Sequence, residues 1–446
     1  MNEEIGELIF IRHGKAKIRN PAVDDTQRAL TTTGREELKR IIPELKANLK
    51  TDLELHLWSS PSLRASQTAE IIANSIGNIG ISQCQWIGSG DFSVFQNELL
   101  QIKTPFCLIL VGNEPFLSDW SQKISGNQIP YISGTAIGFK ILSLEPLKAV
   151  PKWIIQPEIL RLKDLEIKMG NPVLNEYKKI LHFQLQQIFR MQKQFIAEPD
   201  DQETNHQLRV KIRELRSILS FIKPLLNQEK CFNAQTRLRE LAQRFAHLRE
   251  IDVVVDEWSE LLQIHPELAH GNGALMNALK AERAEEQSKV YQKVTDGIMS
   301  PVIFDLLIWI NSAYEYENSQ PKKLLTGLSF EDFTPKRFES LIKKADINLK
   351  KTDLKDLKSI HALRIQFKKL RYASSVLKPF IHLASKHEIA ELTARQDHLG
   401  LICDAQRNLI ISRELISKYS SSALQHECGI LEGYQLSLAD QQIQAL

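Results

Sequence analysis

Short apolar runs alternate with amphipathic stretches through the first 150 or so residues. Glu7 to Ile11 reads as a buried strand, Gly34 to Leu49 as an amphipathic helix and Leu53 to Trp58 as a second strand. Arg64 to Asn74 has helical spacing, and Phe106 to Val111 and Gly134 to Leu144 read as further strands. Strands alternating with helices predict an α/β domain, a sheet flanked by helices. The glycine-bearing stretch from Ile87 to Pro115 predicts loops at strand ends, where α/β sheets place their sites. From Asn175 onward a 3.6-residue period takes over and the strand pattern nearly vanishes, which predicts an all-α half. Polar breaks near Glu198 to Asn205, His270 to Gly273 and Asn318 to Pro321 divide its helices. The change of character falls between 155 and 175, around Pro157 and Gly170-Asn171-Pro172, and predicts domains at 1–160 and 170–446.

A chain of 446 residues is too long for one ordinary core. With 43% hydrophobic and 25% charged residues, the composition is that of a soluble globular protein. The acidic start Met1-Asn2-Glu3-Glu4 has no positively charged leader region. The apolar run from Val302 to Ile310 is broken by Asp305 and too short to span a bilayer, so no membrane partner is expected. Five cysteines (84, 107, 231, 403 and 428) form no CxxC pair. They fit free thiols in a reducing cytoplasm better than a disulfide framework or a zinc site. No metal and no cofactor is expected. The net charge of +3 implies no anionic partner by itself, so the placement of charge matters more.

That placement is repetitive. His206-Gln-Leu-Arg209-Val-Lys211-Ile-Arg213-Glu-Leu-Arg216 recurs 155 residues later as His361-Ala-Leu-Arg364-Ile-Gln-Phe-Lys368-Lys369-Leu-Arg371. In each copy His and three basic residues stand at offsets 0, 3, 7 and 10, and Lys223-Pro224 and Lys378-Pro379 follow at offset 17. Partial echoes come downstream: His247-Leu248 leads to Asp252, and His398-Leu399 to Asp404. Spacings of three and four keep residues on one helix face. Leu208, Ile212, Leu215, Leu219 and Ile222 make an apolar stripe in copy one, as Leu363, Phe367 and Leu370 do in copy two. The basic residues project from roughly the other side.

A solvated basic face is the bland reading of one such helix. Solvated helices, however, interleave acids to limit repulsion. Copy two has no acid between His361 and Arg371, and copy one has only Glu214. A like-charge pair at i,i+4 costs a helix about 0.2–0.5 kcal/mol, and an anion that offsets this explains its repetition better. Arginine-rich surfaces suit phosphate oxygens. Nucleic-acid binders usually add stacking aromatics or side chains that read bases, and here Tyr372 is the one nearby aromatic. A featureless phosphate chain fits better than RNA or DNA, which stay open as the outside reading. His206, His247, His361 and His398 lack a metal-ligand signature such as HExxH and fit phosphate hydrogen bonding or structural roles.

These motifs, with Leu248-Arg249-Glu250-Ile251-Asp252 and Leu399-Gly400 to Asp404-Ala405-Gln406 downstream, resemble the CHAD (conserved histidine α-helical) domain over roughly 170–446. The resemblance implies two pseudo-symmetric four-helix bundles with inorganic polyphosphate bound in a basic central groove. It also implies localisation to the cytoplasm, at polyphosphate granules for some members. Carried over by position, the polyphosphate-binding residues are His206, Arg209, Arg213, Arg216, Lys223 and Arg249, with His361, Arg364, Lys368, Lys369, Arg371 and Lys378. Glu214 stands where many members carry another arginine, which implies a weaker grip on that flank.

In the first domain, Arg12-His13-Gly14 follows the first strand. A His beside Arg and a permissive Gly suits a phosphoryl-accepting nucleophile. With Ala29 to Arg35 (ALTTTGR) and Trp58 to Ala69 (WSSPSLRASQTA), this order resembles the histidine phosphatase superfamily, specifically SixA-type phosphohistidine phosphatases, over about residues 5–150. The resemblance implies that His13 accepts phosphate from a phosphohistidine protein and that Arg12 and Arg64 grip it. A second pocket histidine is expected in the segment Val111-Gly112-Asn113-Glu114-Pro115, where Asn113 stands instead. An amide donates a hydrogen bond but never carries charge. Loss of such a contact costs ~2.7–4 kcal/mol in comparable sites. The domain is therefore expected to be a severely slowed phosphatase or a phosphate-binding relic. Phosphohistidine phosphatase activity targeted to polyphosphate stands as the alternative.

Overall fold

A computed structural model of the chain describes residues 5–20, 24–50, 52–126, 128–129, 131–157, 165–269, 273–311, 327–352, 356–380, 386–419 and 421–444. The expected breaks at His270 to Gly273 and Asn318 to Pro321 fall outside these residues, Gly273 excepted. The chain divides into two compact units, one of Met1–Glu166 with Asp296–Ser312 and one of Ile167–Thr295 with Ala313–Leu446.

The first unit is built on strands β1 (Gly6–Arg12), β2 (Glu54–Ser59), β3 (Ile81–Gln83), β4 (Phe106–Gly112), β5 (Ala136–Leu144) and β6 (Leu147–Ile155). They form one sheet in the order β3-β2-β4-β1-β5-β6. The pairs among β1 to β4 are parallel, and β5 and β6 are antiparallel. Parallel strands covered on both faces need continuous apolar runs, and all seven residues of β4, FCLILVG, are buried. Side chains alternate across β1. Ile9 and Ile11 pack with Leu38, Ile41 and Leu45 of α1 (Thr32–Asn48) and with Ala65, Ala69 and Ile72 of α2 (Leu63–Ile76). Phe10 points the other way, its ring centroid 5.9 Å from Phe95 and 6.3 Å from Trp120.

The stretch expected to be loops instead holds α3 (Gln85–Ser89) and α4 (Phe92–Leu99) before β4, and α5 (Phe116–Ser125) follows β4. Gly90 ends α3 in the left-handed region at φ 76°, so the glycine marks a helix end rather than an open loop. Registering Arg12 against Gly112 brings the ends of β1 and β4 together. His13 and Asn113 each follow directly, at the carboxyl edge of the sheet.

The second unit is helical. Its first half holds α6 (Val173–Ala197), α7 (Gln202–Phe221), α8 (Gln228–Gln243), α9 (Ala246–Ile264) and α10 (Ala274–Thr295). Helix α11 (Ser300–Asn311) belongs to the first unit. The second half holds α12 (Phe330–Lys351), α13 (Leu357–Leu377), α14 (Lys386–Lys418) and α15 (Ser422–Gln444). The 155-residue offset of the sequence repeat maps α6 on α12, α7 on α13 and α10 on α15. It maps α8 and α9 together onto the 33-residue α14, so each half is a four-helix unit whose third helix is broken only in the first copy. The predicted stripe of α7, Leu208, Ile212, Leu215, Leu219 and Ile222, is fully buried, and Leu363, Phe367 and Leu370 are buried in α13. Helices α7 and α13 pack directly on each other. Among the described residues no single helix is long and apolar enough to cross a membrane.

Candidate functional site

The expected site residues fall in two places, one in each unit. At the carboxyl edge of the sheet His13 is 7% exposed. Its Nδ1–H donates to the Gly14 carbonyl at 2.8 Å, which leaves the lone pair on Nε2. That lone pair accepts a hydrogen bond from Arg64 Nε at 3.0 Å. Burial, with Arg64, Arg12 and Arg28 nearby, pushes the His13 pKa down to about 4, so the imidazole is neutral at pH 7. A neutral ring with a directed lone pair is the form a phosphoryl acceptor needs.

Both arginines are already engaged. Arg64 Nη2 pairs with Asp25 Oδ2 at 3.0 Å, and its Nη1 donates to the Asp25 carbonyl at 2.5 Å. Arg12 Nη1 donates to the Tyr131 carbonyl at 2.5 Å, and its Nε is buried without a partner. Asp25 was not among the expected residues, and nothing in the sequence ties it to Arg64, 39 residues away. Thr68 also joins, accepting from Gly14 N at 3.1 Å and donating to the Arg64 carbonyl at 2.7 Å. Among the described residues Asn113 Oδ1 is buried with no hydrogen-bond partner. Glu114 accepts from Ser118 Oγ and from the Tyr131 amide at 3.0 Å. Burial raises its pKa, and its charge acts on Arg12.

In the helical unit, α7, α9, α13 and α14 enclose an open groove of about 490 Å³. Helix α7 contributes His206, Arg209 and Arg213, and α13 contributes His361, Arg364, Lys368 and Arg371. Arg249 and Glu250 come from α9, and Asp397, Asp404 and Arg407 from α14. Seven arginine or lysine side chains face three carboxylates among the described residues. The carboxylates are taken up by Arg364 (Asp404, 2.5 Å), Arg371 (Asp397, 3.5 Å) and Arg407 (Glu250, 2.7 Å). Arg249 lies 3.8 Å from Asp256. Among the described residues Arg213 and Lys368, equivalent positions of the two copies, have no carboxylate partner. Burial, with Arg364, Arg213 and Arg371 close by, pushes the Lys368 pKa down to about 7. Burial and Arg249 lower that of His206.

The twelve expected binding residues therefore do not share one surface. Eight line this groove. Lys223 and Lys369 line a separate cavity, and Arg216 and Lys378 line neither. Adjacent helical residues are turned by ~100°, which sends Lys368 and Lys369 to different cavities. Arg209 departs in another way. It is 6% exposed, and its Nη1 donates to the carbonyls of Phe245 and Ala246 at 2.7 and 2.8 Å, where α8 and α9 break. The other two repeat histidines lie outside the groove: His247 is 3.9 Å from Glu250, and His398 Nδ1 hydrogen-bonds Gln442 Oε1 at 2.6 Å. Arg407, absent from the expectations, brings a further cation from α14.

The family model described as CHAD domain matches residues 179–409, more than half of the chain. The model of the histidine phosphatase superfamily (branch 1) matches residues 8–86. An uncharacterised protein of Picosynechococcus sp. is 34% identical over 130 residues, which cover 27% of this chain and 74% of that protein. The crystal structure of the CHAD domain from the plant Ricinus communis is similar at 20% identity and a TM-score of 0.49, covering 63% of this chain and 94% of that one. The protein histidine phosphatase SixA complexed with tungstate is similar at 16% identity and a TM-score of 0.31, covering 35% of this chain and 99% of that one.

Proposed function

Because this chain belongs to the CHAD domain family and carries an N-terminal histidine phosphatase superfamily domain, we propose that its helical unit binds inorganic polyphosphate in the groove between α7 and α13. The observation that supports this reading is the meeting of equivalent cations from both copies, above all Arg213 and Lys368, neither of them in an ion pair among the described residues. Such cations repel each other in a partly desolvated groove, and a polyanion removes that repulsion. Among the described residues the groove offers one aromatic ring, Tyr372, and no row of rings on which bases could stack. Titration with fluorescent polyphosphate of graded length tests the reading. Affinity should rise with chain length and fall steeply with salt. Equal binding of single-stranded RNA of matched charge refutes it.

For the N-terminal domain a phosphohistidine phosphatase of greatly reduced rate fits best. The neutral His13 with its Nε2 lone pair keeps the nucleophile. Asn113 cannot supply the charge of a second pocket histidine. A phosphohistidine peptide should turn over roughly 10²–10³ times more slowly with wild type than with Asn113→His. Equal rates refute the impairment.

A further inference from the structure

Beside the groove lies a second cavity, of about 410 Å³, between the end of α7, α12 and α13. Lys223, Arg337, Lys344 and Lys369 line it, and among the described residues no carboxylate does. Arg337 is anchored, its Nε donating to the Phe221 carbonyl at 3.0 Å where α7 ends. The three lysines have no ion pair among the described residues. The groove, by contrast, is partly neutralised by its own Glu250, Asp397 and Asp404.

Positive charge runs on from one cavity to the other. Arg213 lines the groove, and Arg216, one turn further along α7, has its pKa pushed down to about 10 by burial and by Arg213 and Arg239. Partial desolvation of its exposed side chain, with Arg216 and Lys223, in turn lowers that of Lys369. Arg216 Nε is buried without a hydrogen-bond partner.

The pseudo-symmetry sharpens the point. Both copies should carry such a flank, and the 155-residue offset sets Glu214 where Lys369 stands. Glu214 is 7% exposed, pairs with Lys211 Nζ at 3.0 Å and accepts from Ser375 Oγ at 3.4 Å. On that flank the lysine is spent on the protein's own carboxylate. The Lys369 flank keeps uncompensated charge, a state that an anion relieves.

We propose that the cavity of Lys223, Arg337, Lys344 and Lys369 is a second seat for condensed phosphate, so that a polyphosphate chain is held beyond the groove on this flank alone. The proposal rests on the reading of the groove as a polyphosphate site. Fluorescence anisotropy with long-chain polyphosphate tests it across four variants of the full chain. Lys344→Ala/Lys369→Ala should weaken binding about tenfold or more, at least the scale of a single charge-assisted hydrogen bond. Lys350→Ala/Lys351→Ala removes the same charge from the end of α12 at positions that line neither cavity, and should have little effect. Glu214→Lys should tighten binding of long chains by opening the other flank. In Arg213→Ala/Lys368→Ala, residual binding should persist and vanish when Lys344 and Lys369 are also replaced. Lys344 and Lys369 are both exposed, so alanine there should leave the far-UV circular dichroism unchanged. Wild-type affinity in Lys344→Ala/Lys369→Ala, alongside weakened binding in the groove variant, overturns the second seat and leaves the groove standing. An equal loss in Lys350→Ala/Lys351→Ala also overturns it, reducing the effect to general charge. No binding by wild type overturns the groove reading and the second seat with it.

Discussion

Polyphosphate affinity should depend on pH through Lys368. Unbound, this lysine sits among Arg364, Arg213 and Arg371 with Asp404 the nearby carboxylate, and its pKa is about 7. A phosphate chain laid in the groove favours the ammonium form and restores the pKa toward the ordinary lysine range, so binding takes up a proton. The sign follows. Affinity is highest below pH 7 and declines as pH rises past it, because the free protein must then gain a proton to bind. With a pKa of about 7, roughly nine-tenths of the free protein is protonated at pH 6 and a tenth at pH 8, which gives about a tenfold loss, or ~1.4 kcal/mol. The lowered pKa of His206 adds in the same direction on the acid side. Anisotropy titrations at pH 6, 7 and 8, at constant ionic strength and with long chains whose end groups contribute little, measure the slope. Lys368→Arg keeps the charge at every pH and should flatten it. The same slope in wild type and Lys368→Arg would refute the assignment, and so would a flat wild-type profile.

Two further substitutions probe the frame of each site. Arg209→Met leaves the Phe245 and Ala246 carbonyls without their donor, so urea unfolding should show stability lower by about 2–4 kcal/mol, whereas Arg213→Met should cost little. A loss of polyphosphate affinity in Arg209→Met with unchanged stability would show that the guanidinium serves the ligand instead. At Gly34 an added Cβ would lie 2.3 Å from the Lys15 carbonyl oxygen, two residues beyond His13. Gly34→Ala should therefore lower the thermal midpoint by the equivalent of about 1–3 kcal/mol, and a wild-type midpoint would contradict the close approach.

Much of the first unit was legible because its central strands are buried on both faces, which forces unbroken apolar runs such as Phe106 to Val111. Strand β6 was not. Its sequence LKAVPKWII contains Pro151, which argues against a central strand, yet β6 is the edge of the sheet. The pairing shifts register there, Gly138 facing Trp153 and Phe139 facing Pro151. Helices α3 and α4 were read as loops because five and eight residues give too little periodicity to register. The clasp of Asp25 on Arg64 was illegible for a different reason, since 39 residues separate partners that only the folded sheet edge brings together.

The basic repeat was legible as a pattern, but its division of labour was not, because that division depends on what packs opposite each copy. Arg209 and Arg364 occupy the same repeat position. In the first half the third helix breaks after Gln243, and Arg209 turns in to donate to the carbonyls of Phe245 and Ala246 at the start of the next helix. In the second half α14 runs unbroken through the equivalent point, its carbonyls are used within the helix, and Arg364 pairs with Asp404 instead. Equal residues thus end as a buried cap in one copy and a groove-lining ion pair in the other. The same logic separates Glu214 from Lys369. A two-fold frame with unequal sides would give a bound linear polyanion, whose two ends are equivalent, a preferred side on which to leave the groove.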